Sequence, residues 1–172
     1  MNLKKIVTIF IVCICIISTF TYVVVNAYAD EDNADISKYI NLLYSEDMAE
    51  RREAVTQLRS IGSQTVSALE DVIADKDSDS STRHSAVRAL RGIGGEEVFP
   101  VLIKALKDSE SQIRSRALTA IGNLEVDKKS AIPCIVELLD DSSSDVRAEA
   151  SSVLTQMDSE KDMLNFIIKL NY

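Results

Sequence analysis

Few side chains in this 172-residue sequence could do chemistry. The only histidine is His84, so a Cys–His or Ser–His–Asp site would need it as the base. Nothing places a partner near it, and its equivalents in the repeat described below are Arg52, Ser115 and Ala148. A slot that tolerates such variety reads as exposed surface. Cys134 follows Pro133 where other units have Leu69, Val101 and Met163, so it reads as a small buried hydrophobe. Asp75-Lys76-Asp77-Ser78-Asp79 imitates the start of a calcium loop. Counted from Asp75, however, the sixth position is Ser80, the ninth Arg83 and the twelfth Ala86, so the turn glycine and the bidentate glutamate are missing. Helix capping accounts for these acids. No zinc spacing, phosphate loop or nucleophile elbow occurs. The expectation is a chain without catalytic residues, metal or cofactor.

The elements that must carry these residues repeat. Arg51-Ala54-Leu58-Ile61, Arg83-Ala86-Leu90-Ile93, Arg114-Ala117-Ile121-Leu124 and Arg147-Ala150-Leu154-Met157 superimpose without a gap, with their arginines 32, 31 and 33 residues apart. Apolar spacings of three and four mark one face of a helix. Gly62 and Gly94-Gly95 stop the first helix in two units, as glycines do just past a helix end. A second stripe follows, for instance Val98, Val101, Leu102, Ala105 and Leu106. Pro100 and Pro133 open that helix, where a missing N–H costs little, and Ala68 takes their place in the first unit. Each unit is therefore helix, tight turn, helix, and a period near 32 predicts stacked units that bury each other's apolar faces. Asp77-Ser78-Asp79-Ser80, Asp108-Ser109-Glu110-Ser111 and the Asp141–Asp145 segment supply N-caps for the next unit.

An acid six residues before Arg, then Arg-x-x-Ala-x-x-x-Leu-x-x-Ile-Gly and a proline-led second helix, resembles the HEAT repeat. The short units are most similar to the HEAT-like repeats of phycobilin lyases. The resemblance covers about residues 34 to 170 and implies an all-α, right-handed α-α superhelix. It further implies a structural ladder of charged hydrogen bonds between stacked turns, formed by Asp77 with Arg83, Asp108 with Arg114 and Asp141 with Arg147. Ser45 lacks the acid, and Glu125 and Asp158 stand where the turn glycine belongs, so the end units are expected to be irregular caps. Ile36, Tyr39, Ile40, Leu42 and Leu43 form a lone second-helix stripe, and Met163, Leu164, Ile167 and Ile168 a final one. The reading gives a capping segment over 30–45, repeats over 46–172, and nine helices paired except for the first.

Before that domain, Lys4 and Lys5 precede an apolar stretch from Ile6 to Phe20, and Ala27-Tyr28-Ala29 is a small-x-small site ahead of Asp30. This is the pattern of a secretory signal peptide over 1–29. The alternative is an uncleaved membrane anchor, since Ile6 to Val25 is about long enough to span a bilayer. Cys13 and Cys15 lack the preceding small residue of a lipidation site. Removing 1–29 takes away two lysines and no acid, moving the net charge from −8 to −10. Such acidity argues against nucleic acid and anionic lipid as partners. Cys134 would then be alone, leaving stability to packing.

The function expected is an exported, secreted or cell-envelope, non-catalytic scaffold that binds an unknown protein partner. No membrane contact is expected once the signal is removed. The second helices, which line one face of HEAT solenoids, offer Glu70, Asp71, Lys104, Lys107, Glu137 and Lys169 at outward positions. Phe99 and Phe166 occupy mixed slots of the same helices, readable as binding anchors or as packing. Two other readings stay open. One is a lyase- or chaperone-like HEAT protein, and the other an anchored accessory subunit of an envelope assembly.

Overall fold

The computed structural model describes residues 35–170, with side chains over 35–157. The signal segment, the start of the cap and the side chains of Met163, Phe166 and Lys169 lie outside the described residues. From Tyr39 onward the chain forms one compact unit. Helix α1 covers 35–43. It is followed by α2 (Met48–Ile61), α3 (Val66–Ala74), α4 (Ser80–Ile93), α5 (Phe99–Ala105), α6 (Ser111–Gly122), α7 (Ile132–Glu137) and α8 (Ser144–Leu170). The described residues contain no strand. First helices α2, α4, α6 and α8 pack in succession, and second helices α3 and α5 stack beside them.

The helix starts are set by side chains that satisfy otherwise orphaned N–H groups. Asp47 Oδ1 accepts from Ala49 N at 2.7 Å, and Asp79 Oδ1 from Thr82 N at 2.8 Å. The Thr82 N–H holds the Asp79 carboxyl below its usual range. The stops are glycines: Gly62 at φ +86° and Gly94 at φ +68° donate back to Leu58 O and Leu90 O. These left-handed conformations strain any residue with a Cβ.

The third unit stops without such a glycine. Its α6 ends at Gly122, and the connection to α7 is longer and passes through Lys128. That lysine is buried and donates from Nζ to Gly122 O at 3.0 Å, placing a cation on the last carbonyls of α6. In the fourth unit the expected break at Asp158 is absent. Ser144–Leu170 is one helix, so there are eight helices rather than nine among the described residues. Met157-Asp158-Ser159-Glu160-Lys161 contains neither Gly nor Pro, so nothing there forces the backbone out of helical geometry.

The stripes read from the sequence form the core. Ala54, Leu58, Ala86, Leu90, Ala117, Ile121 and Ala150 are buried on the first helices. Leu69, Val101, Leu102 and Ile135 meet them from the second. The alanines after each arginine are fully buried, which lets first helices approach closely. Leu43 of α1 joins the same core, with Tyr39, Ile40 and Leu42 packed against it.

Candidate functional site

Every described charged residue expected to matter lies either at the helix starts or along the second helices. At the starts, each repeat arginine turns its guanidinium back onto the turn before its own helix. Arg51 Nη1 donates to Ser45 O and Glu46 O, Arg83 Nη1 to Ser78 O, Arg114 Nη1 to Asp108 O and Ser109 O, and Arg147 Nη1 to Asp141 O and Ser142 O. The carboxylate contacts run between units, one step away from the expected pairing. Arg83 donates from Nε to Asp108 Oδ2 at 3.0 Å and from Nη2 to Asp108 Oδ1 at 3.3 Å. Arg114 does the same to Asp141, at 2.7 Å for both contacts. Arg83 and Arg114 therefore bond their own unit's turn only through its main chain and take a carboxylate from the next, whereas Arg51 and Arg147 reach carbonyls alone.

That shift explains the irregular ends. Asp108 Oδ1 also accepts from Glu110 N, and Asp141 Oδ1 from Ser143 N, so each aspartate both folds its turn and receives the previous arginine. Ser45 has no preceding arginine to receive, and its hydroxyl does the turn job alone by accepting from Asp47 N. Asp77 is exposed and does not bond Arg83; its N–H is tied to Asp75 Oδ1 within a tighter turn. Tyr44 Oη donates to Asp75 Oδ2 at 3.4 Å. Burial, with that carboxylate beside it, raises the phenol's pKa.

The two rungs are shielded from water. Side-chain exposure is 5% for Arg83 and 1% for Asp108, against 12% and 7% for Arg114 and Asp141. The Arg114 hydrogen bonds hold the Asp141 carboxyl below its ordinary 3.8, and the same bonds raise the guanidinium. Bidentate geometry and desolvation make such pairs costly to break.

Along the second helices, Glu70 of α3 and Lys104 of α5 form an ion pair rather than standing free. Asp71, Lys107 and Glu137 are exposed. Between α3 and α5 lies a groove of about 200 Å³ with apolar walls from Ile73, Ala74 and Val101 and a rim that includes Glu70 and Lys104. Phe99 is buried and serves packing rather than the surface.

The two nucleophilic-site candidates stand on separate helices, His84 on α4 and Cys134 on α7. Cys134 is half-buried against the core. His84 differs from its expected exposure. It is half-buried, and its Nε2 is shut off from solvent without a hydrogen-bond partner among the described residues. Burial first, then the charges of Arg116 and Arg88, depress its pKa. No group of three metal-capable side chains occurs among the described residues, and none of their helices is long and apolar enough to cross a membrane.

The arrangement defines a class first: a helical solenoid of tandem hairpins, locked at the helix starts by Arg–Asp rungs. The sequence matches the HEAT-repeat model over residues 36–117 and 99–170, and the chain belongs to the HEAT-repeat family. No curated protein matches it in sequence. In fold it is similar to the complex of CpcE and CpcF of phycocyanin lyase from Nostoc sp. PCC7120, with TM-score 0.62 and 23% identity over 73% of this chain and 79% of that one. It is also similar to human deoxyhypusine hydroxylase in complex with glycerol, with TM-score 0.58 and 20% identity over 72% and 43%. A third likeness is a designed armadillo repeat protein in complex with the peptide (KR)4, with TM-score 0.51 and 20% identity over 70% and 63%. The chain spans less than two thirds of the latter two. At these identities the likeness concerns fold.

Arg83→Ala should lower unfolding free energy by up to about 3–5 kcal/mol, because it leaves the buried Asp108 with only the exposed Lys76, 3.8 Å away, as counter-charge. Arg51→Ala, whose guanidinium reaches only carbonyls, should cost less; equal losses in denaturant melts would show that the rung adds nothing. The lowered Asp141 also sets a sign. Its contribution is complete above pH 3.8 and is lost as pH falls through the depressed folded value. Asp141→Asn should therefore melt below wild type at pH 7, with the gap closing under acid; a gap constant from pH 7 to pH 2 would contradict the linkage.

Proposed function

We propose that this chain is an exported, non-catalytic scaffold that holds a protein partner on the face formed by its second helices. The observation that carries the reading is the groove between α3 and α5. It has an apolar floor and a rim with both signs of charge, the anatomy of a small interface core with a polar border. About 200 Å³ suits one anchoring side chain rather than a cofactor, which usually fills about 300–1,000 Å³. The peptide held by the designed armadillo repeat protein supports this mode of use for the fold. Two of the fold's likenesses are to enzymes, so fold alone does not select a binding role. What favours binding is that His84 and Cys134 occupy different helices and share no site with an activated nucleophile.

Lys104→Glu combined with Glu137→Lys should lose the partner in co-purification from the native cell envelope while lowering the melting temperature only slightly, since the Glu70–Lys104 pair it reverses lies at the surface. A partner retained by the double variant would remove this face from consideration. For export, intact-mass analysis of the protein from its native host should give a chain beginning at Asp30. A mass that includes residues 1–29 would favour the anchored alternative instead.

A further inference from the structure

Repeat proteins offer an internal control, because each surface position recurs in a neighbouring unit. Five residues after the ladder arginine stand Thr56, Arg88, Thr119 and Ser152; two residues after it stand Glu53, Ser85, Arg116 and Glu149. At the step from α6 to α8 these positions meet and bond, Thr119 Oγ1 donating to Glu149 Oε1 at 2.8 Å. At the step from α4 to α6 the equivalent pair is Arg88 and Arg116. Two cations occupy the place where the next unit makes a hydrogen bond.

The groove at that step has a volume of about 330 Å³ and is lined by His84, Val87, Arg88, Arg91 and Arg116. His84, Arg88 and Arg91 follow at i, i+4 and i+7, so α4 presents them on one face. No acid lines this groove, although the chain carries 27 acids and a net charge of −8. The groove between α3 and α5 includes Glu70 and Asp108, and the one between α6 and α8 includes Asp145. Among the described residues no carboxylate pairs with Arg88, Arg91 or Arg116, and His84 Nε2 is buried without a partner on the same groove wall. Stacking does not need arginines here, since the neighbouring steps pack with threonine, serine and glutamate. Three exposed guanidinium groups around one groove with no acid in its lining repel one another, and a bound oxyanion reverses that repulsion.

We infer that the groove between α4 and α6 is an oxyanion-binding site that takes a carboxylate or phosphate group between Arg88, Arg91 and Arg116. Val87 gives it an apolar floor, so the group enters with a small organic body or a side chain behind it. The site is formed by first helices, so it stands or falls separately from the second-helix face proposed above.

The test is calorimetric titration of the full chain at low ionic strength, where exposed charges are least screened. One arm uses sodium phosphate and the other a hexaglutamate peptide. Saturable heat with phosphate supports a site for a free oxyanion. Saturable heat with hexaglutamate alone supports the same groove reading a carboxylate carried by a peptide. Arg88→Gln with Arg116→Gln should weaken the active probe about tenfold or more, as expected for losing charge-assisted contacts. Lys129→Gln, an equally exposed cation on another element, should leave it unchanged. If the double variant unfolds by circular dichroism, Arg91→Gln alone replaces it and should weaken binding as well. No saturable heat with either probe, undiminished binding in the arginine variants, or an equal loss in Lys129→Gln would overturn the assignment.

Discussion

No hairpin in this chain can bury its own apolar stripe; each depends on the next unit to cover it. Leu58, Leu90 and Ile121 are fully buried because α4, α6 and α8 arrive in turn against them. The single thiol of the described residues can form no disulfide within them, and no metal cluster occurs there, so contact between neighbours carries the stability. Buried alanines at the start of each stripe keep first helices close, and in the two middle units the arginine before that alanine, Arg83 or Arg114, reaches the turn of the unit beyond.

The Arg–Asp rungs follow from that closeness. Asp108 and Asp141 each close their own turn by accepting a backbone N–H and also receive a bidentate guanidinium from the preceding unit. One carboxylate thereby ties the geometry of a helix start to the register of the stack. The same logic accounts for the first and last units. Ser45 closes its turn without a charge because no arginine comes before it, and Arg147 reaches only carbonyls of its own turn. Irregular ends are what a chain of directed, one-way links must have.

Much of this was readable in the residues. Periodicity located the helices, Gly62 and Gly94 their ends, and the Arg-to-Ala spacing the buried face, because each signal is local and follows from backbone sterics or helical pitch. Other features were not readable. A ladder between stacked turns was expected, but with Asp108 on Arg114 and Asp141 on Arg147; each aspartate instead takes the arginine of the preceding unit, because sequence spacing does not say which neighbour a carboxylate faces. Lys128 as the cap of α6 was missed; its only trace was a unit a residue or two longer than the others and lacking its glycine. The uninterrupted α8 was missed because the repeat suggested a break that the local residues do not enforce.

The surface divides in the same way. Glu70 and Lys104 were legible as outward residues of second helices, yet only the packing of α3 on α5 joins them as a pair above an apolar groove. His84 looked like a variable surface slot, and the approach of α6 made it half-buried beside three arginines. The sequence by itself determined helices, unit boundaries and the core face, because hydrophobic spacing and turn residues act within a few positions along the chain. Which charges meet, and which remain without a counter-charge, was decided by tertiary structure alone, because those partners lie about one repeat apart and are brought together only when the units stack.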